Sequence, residues 1–132
     1  MEINYKNLKS ISVFVGNSFA GIKKFEISLS ENTITVRDNG PYETKKFTEP
    51  IISKNEIATL VSKLESVKFE NWKSNYISTE KTPDPIGWKV TMRFNDGNNI
   101  EFSGVNCYPE NWNEFLNVIN FYTNIFSNED LD

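Results

Sequence analysis

The stretch Gly87-Trp88-Lys89-Val90-Thr91-Met92-Arg93-Phe94-Asn95-Asp96-Gly97-Asn98-Asn99-Ile100-Glu101-Phe102 decides the fold. Trp88, Val90, Met92 and Phe94 alternate with polar residues, and Ile100 and Phe102 do the same. That two-residue period belongs to a strand with one dry and one wet face. Parity then selects the connection. A two-residue Asp96-Gly97 loop would set Phe94 against Asn99 and break the facial match. A three-residue loop, Asn95-Asp96-Gly97 with Gly97 left-handed, pairs Met92 with Ile100 and Val90 with Phe102, and this is the hairpin expected.

The same periods extend toward the N-terminus. Ile11, Val13 and Val15 share a face, and the turn-forming run Gly16 to Gly21 follows them. Phe25, Ile27 and Leu29 alternate, as do Ile34 and Val36. A two-residue Glu31-Asn32 loop would let Leu29 face Ile34 and Ile27 face Val36, with Asn32 tolerating positive φ. A weaker strand, Thr44 to Thr48, is expected after the turn at Asp38-Asn39-Gly40-Pro41. Ser53-Lys54-Asn55-Glu56 has the form of a capping box, and Ile57, Leu60, Val61 and Leu64 recur at helical spacing, so a helix is placed at about 53–67. From Phe69 to Gly87 no period holds, and Thr82-Pro83-Asp84-Pro85 resists both helix and central strand. Beyond the hairpin, Pro109 opens a last helix whose stripe Trp112, Phe115, Leu116, Ile119, Tyr122 and Ile125 runs to about residue 126. The order β-β-β-β-α-β-β-α predicts an α+β fold: a single antiparallel sheet of about five to six strands with two helices packed on one face. Residues 1–126 form the one domain, and 127–132 are a frayed acidic tail.

Composition excludes several function classes. The chain has 132 residues, 38% of them hydrophobic and 14% aromatic, enough to build a core. It contains no histidine, which removes Ser-His and Cys-His nucleophile pairs, imidazole acid–base work and almost every transition-metal site. No cofactor or metal is expected, and no enzymatic activity. Cys107 stands alone, so no internal disulfide forms and a reducing compartment is the natural setting. It is read as a small buried side chain at a strand-to-helix junction rather than as an activated thiol. The N-terminus lacks a signal-peptide pattern and no apolar run reaches the ~20 residues of a membrane span, so a soluble, cytoplasmic protein with no membrane partner is expected.

Gly16 and Gly21 have phosphate-loop separation, but Ile22-Lys23-Lys24 follows in place of Lys-Ser/Thr, and a strand follows in place of a helix. A hairpin or bulge is the better reading. The net charge of −4 argues against direct nucleic-acid binding, and the aromatic-rich 100–126 region has no basic residue to interleave. After Arg93 the chain uses no Lys or Arg, while Asp96, Glu101, Glu110, Glu114, Glu129, Asp130 and Asp132 follow. Turn chemistry explains Asp96, a wet strand face explains Glu101, and the helix dipole explains Glu110 and Glu114.

The run Gly104-Val105-Asn106-Cys107-Tyr108-Pro109-Glu110-Asn111-Trp112, preceded by Gly87-Trp88-Lys89-Val90 and Asp96-Gly97, resembles a pattern in small uncharacterised bacterial proteins. There, a glycine-x-asparagine-x-tyrosine-proline stretch opens a C-terminal helix. The resemblance covers roughly the last third of the chain and implies a strand-exit loop, not an activity.

Three functional expectations follow. The first is a small acidic binding protein that occludes a basic protein partner, in the manner of immunity proteins with toxins or phage inhibitors with defence nucleases. Asp96, Glu101, Glu110, Glu114 and Tyr108 would form its interface. The second is a small-molecule binder or carboxylate-dependent enzyme, with Trp72, Tyr76, Asp84 and Trp88 lining a pocket under the 70–87 loop, although Trp72, Trp88 and Trp112 are read first as core or core-rim residues rather than ligand-stacking ones. The third is a structural or adaptor domain with neither feature.

Overall fold

Backbone pairing answers where the polar groups of the alternating segments go: a computed structural model of the protein shows one seven-stranded sheet. It describes residues 3–17, 21–39, 44–50, 54–77 and 85–123. The strands are β1 (Leu8–Asn17), β2 (Gly21–Ser28), β3 (Thr33–Asn39), β4 (Thr44–Pro50), β5 (Asn75–Ile77), β6 (Gly87–Phe94) and β7 (Asn99–Val105). Helix α1 (Lys54–Val67) follows β4, and α2 (Trp112–Thr123) follows β7. Their order across the sheet is β4-β3-β2-β1-β6-β7-β5. The class is α+β, as the periodicity predicts.

The β6–β7 hairpin has the expected register, with Met92 opposite Ile100 and Val90 opposite Phe102. Gly97 sits at φ 90° and its N–H donates to the Phe94 carbonyl, closing the three-residue loop. The β2–β3 hairpin departs from its expected register. Ile27 faces Ile34, Phe25 faces Val36, and the loop is the four residues Leu29–Asn32 rather than two. Leu29 is taken out of the ladder because its N–H donates to the Lys9 carbonyl of β1 at 2.9 Å. The pairing shifts by two residues, so the dry face stays dry. Asn32 does take the left-handed conformation, at φ 56°.

The stretch 69–87, expected to be irregular, holds a short element. Three residues of β5 pair in parallel with β7, Tyr76 beside Gly104 and Ile77 beside Val105, so the sheet is mixed and gains an edge strand. A three-residue strand shows no period of its own. The second helix begins at Trp112, three residues after Pro109, because Pro109 and Glu110 belong to a turn closed by the Trp112 N–H on the Pro109 carbonyl. Ser53 of the expected capping box, Asp84 and the tail 127–132 lie outside the described residues.

Both helices cover one face of the sheet. Leu60, Leu64 and Val67 of α1 and Trp112, Phe115, Leu116 and Ile119 of α2 share one core with Ile11, Val13, Phe25, Ile27, Val90, Met92 and Phe102. Each buried aliphatic side chain contributes about 1.5–3 kcal/mol relative to exposure. The opposite face carries alternating hydroxyls and charges, including Ser12, Lys24, Glu26, Thr35, Lys89, Thr91 and Glu101.

Tyr5, on a short 3-10 turn before β1, pins the N-terminal end to this core. It is buried, and its hydroxyl donates to Glu70 at 2.7 Å. Burial first, then the hydrogen bond and the charge of Glu70, push its pKa well above the ordinary 10.0. The folded state therefore holds the Tyr5 proton more tightly than the unfolded chain does. The stability tied to it is fully present below pH 10 and is lost as pH rises beyond that. Tyr5→Phe should cost about 1 kcal/mol near neutrality and should flatten the alkaline fall in unfolding midpoint. An alkaline limb as steep in Tyr5→Phe as in the wild type would remove Tyr5 as its source.

Candidate functional site: a groove at the start of the second helix

Lys68 ends α1. It adopts the left-handed conformation at φ 60°, and a 3-10 turn at Phe69–Asn71 follows. The turn drives Phe69 into the core and brings Trp72 beside it, with ring centroids 4.6 Å apart. The Trp72 indole N–H donates to Asn111 Oδ1 at 2.8 Å, while Asn111 Nδ2 donates to the Val67 carbonyl at 2.7 Å. One amide thus joins the end of α1, the turn after it and the residue before α2. A buried indole N–H and an orphan helix carbonyl are both satisfied by it.

Between these segments lies an open groove of about 900 Å³. Lys68, Trp72, Lys73 and Tyr76 line one wall, and Pro109, Glu110, Asn113 and Glu114 line the other. Its walls therefore carry opposite charges. Tyr76 is held by its hydroxyl, which accepts the Lys73 N–H at 2.9 Å, and by its ring, 5.8 Å from that of Trp88.

Of the four residues expected to line a pocket under the 70–87 loop, Trp72 and Tyr76 border this groove at the start of α2 and Trp88 does not. It is 2% exposed, and its indole N–H donates to the Cys107 carbonyl at 2.8 Å. Behind Tyr76 it completes an aromatic cluster with Trp72, Trp112 and Tyr108 rather than a binding wall. Asp84, the fourth expected pocket residue, falls outside the described residues.

The five expected interface residues separate into three places. Asp96 sits at the β6–β7 turn, where its carboxylate accepts the Asn98 N–H at 2.9 Å. Glu101 lies on the sheet face away from the helices and forms an ion pair with Lys89 at 3.1 Å, both about half exposed. Tyr108, Glu110 and Glu114 stay together. Glu110 and Glu114 stand on the groove wall, and Tyr108 precedes that wall at its Pro109 end with 38% exposure. Its ring lies near-parallel to Trp88 and 5.3 Å from Trp112, and partial burial raises its pKa.

The glycine-asparagine-tyrosine-proline motif proves to be scaffold for this wall. Asn106 takes φ 51° and its Oδ1 accepts the Ile86 N–H at 2.8 Å, while Cys107 supplies the carbonyl for Trp88. The Cys107 side chain is partly exposed, not buried. Asn111, Lys68 and Lys73 are the groove residues that sequence reasoning passed over. The only advance signal was position, Lys68 beside the last residue of the expected helix and Asn111 inside the motif; Lys73, within the 69–87 stretch, had none. Among the described residues no three His, Cys, Asp or Glu side chains are grouped to hold a metal ion, and no helix is long and apolar enough to cross a membrane. Comparison with known proteins finds no family model that matches the chain, and no curated protein that matches it.

Proposed function

We propose that this is a binding protein that occludes a basic surface of a protein partner, the mode of action of toxin-neutralising immunity proteins and of inhibitors of defence nucleases. One observation carries the reading: Glu110 and Glu114 both line an open groove, and Tyr108, the residue before the groove-lining Pro109, is an exposed aromatic side chain. Tyrosine is among the residue types enriched at the energetic centres of protein interfaces, while acids belong to the charged rim that steers a basic partner. The acids contribute chiefly to association rate, and the aromatic ring to residence time. Lys68 and Lys73 on the facing wall set the orientation, since a partner must meet negative charge on one side and positive on the other.

The groove's volume also falls within the ~300–1,000 Å³ of small-molecule sites. Trp72 on its wall is only 6% exposed, however, so it offers an edge rather than a stacking face.

The test compares baits in host extract. Wild-type protein should retain a basic protein that added salt releases, and Glu110→Lys/Glu114→Lys should reduce retention at least about tenfold. Glu101→Lys, at a residue that pairs with Lys89 and does not line the groove, should retain it like the wild type. Equal capture by the groove variant, or loss confined to Glu101→Lys, would place the interface elsewhere.

A further inference from the structure

The sheet face away from the helices carries a second surface, independent of the groove. Strand pairing sets Ile77, Val105, Gly87, Gly16 and Ile22 side by side across five strands. Ile77 and Val105 are 67% and 42% exposed and belong to the few exposed large apolar side chains among the described residues. The facing pair Gly87 and Gly16 leaves the middle of this row without side chains. Two residues along the strands runs a parallel row of Lys89, Phe14, Lys24 and Arg37, with Phe14 between the two lysines. On this face Lys24, Arg37, Lys89 and Arg93 outnumber Glu26 and Glu101, in a chain whose net charge is −4. The fold has gathered cations from three strands onto one side.

The apolar row spans four strand spacings, about 19 Å, and the two rows lie about 6.6 Å apart. A helix of about 13 residues has that length, and its adjacent side-chain stripes have comparable separation. We infer that this face docks an amphipathic helix of a protein partner, its apolar stripe over Ile77, Val105 and Ile22 and an acidic flank over Lys89, Lys24 and Arg37. A polynucleotide would answer the cations and Phe14 but would leave Ile77 and Val105 against water. Charge complementarity with a chain segment bearing both apolar and acidic side chains satisfies both rows at once.

The experiment titrates ¹⁵N-labelled full-length protein with a synthetic helical peptide of about 14 residues, leucine on one stripe and glutamate on the flank. Amide shifts should concentrate at Phe14, Ile22, Lys89 and Val105. Lys24→Glu/Lys89→Glu should weaken binding about tenfold, as should Ile77→Ser, whose exposed side chain leaves the core untouched. Four results overturn the inference: no perturbation of this face, shifts confined to Trp72, Tyr76 and Glu114, equal binding of a lysine-flanked peptide, or preferential occupation of the face by a thymidine oligonucleotide.

Discussion

Phe69→Ala is expected to destabilise the protein by about 4 kcal/mol and lower its melting temperature by roughly 12–16 °C. Phe69 has no exposed surface, and its ring meets Trp72 at 4.6 Å, Phe115 edge-on at 5.5 Å and Phe102 at 5.9 Å. It is therefore the point where the turn after α1, the helix α2 and the strand β7 meet. Truncation removes the transfer free energy of a large side chain and leaves a cavity whose walls are other rings. Those rings cannot collapse into it easily, because Trp72 is anchored to Asn111 and Phe102 to its strand. A single domain has about 5–15 kcal/mol in all, so the variant should stand near the edge of folding. Denaturant unfolding should show a lower midpoint with an unchanged slope. A loss below about 1.5 kcal/mol would mean that the aromatic cluster relaxes around the gap and that Phe69 is not its centre.

Phe69 also marks the boundary of what local pattern reveals. The β6–β7 hairpin was legible because parity, a glycine at the left-handed position and two alternating runs all constrain one register. The neighbouring β2–β3 hairpin has equally good alternation, yet its pairing is displaced by two residues. Leu29 is claimed by the Lys9 carbonyl, a contact about twenty residues away that no local period encodes. β5 escaped notice because only Tyr76 points inward from it and its partner β7 lies far along the chain in parallel. The site shows the same division. Tyr108, Glu110 and Glu114 are close in sequence and remain close in space, whereas Asp96 and Glu101, equally acidic, are carried off by the hairpin they belong to. Trp88 admits both a core and a pocket reading in the sequence, and its alternation with Val90 and Met92 on the dry face favours the core reading that its burial bears out. The cations of the opposite sheet face were invisible for the converse reason: Lys24, Arg37 and Lys89 come from separate strands, and only register brings them into one row.

Gly104→Ala should be nearly as damaging as the loss of Phe69, about 3–5 kcal/mol, although it adds a single methyl group. Gly104 faces Trp88 on one side and Tyr76 on the other. A Cβ there would lie 2.3 Å from Trp88 Nε1, 2.7 Å from its Cε2 and 2.6 Å from the Cys107 carbonyl oxygen. It would stand inside the hydrogen bond that the indole donates to that carbonyl, so overpacking and a buried unsatisfied donor arise together. The obstacle is a packed ring and a backbone atom rather than a flexible side-chain tip, so neither moves cheaply. Gly87→Ala is the internal control, because its nearest contact would be the Gly104 carbonyl at an ordinary 3.9 Å, and it should cost under about 1 kcal/mol. A Trp88→Phe background decides the mechanism. Phenylalanine has no N–H to strand and leaves more room, so Gly104→Ala should cost at least about 1 kcal/mol less there than in the wild type. Additive losses in that cycle would show that the glycine is required by the strand backbone and not by the indole. A coupled loss would show that the first residue of the glycine-asparagine-tyrosine-proline motif exists to let Trp88 reach Cys107, and through it to fix the loop on which Tyr108 and Glu110 stand.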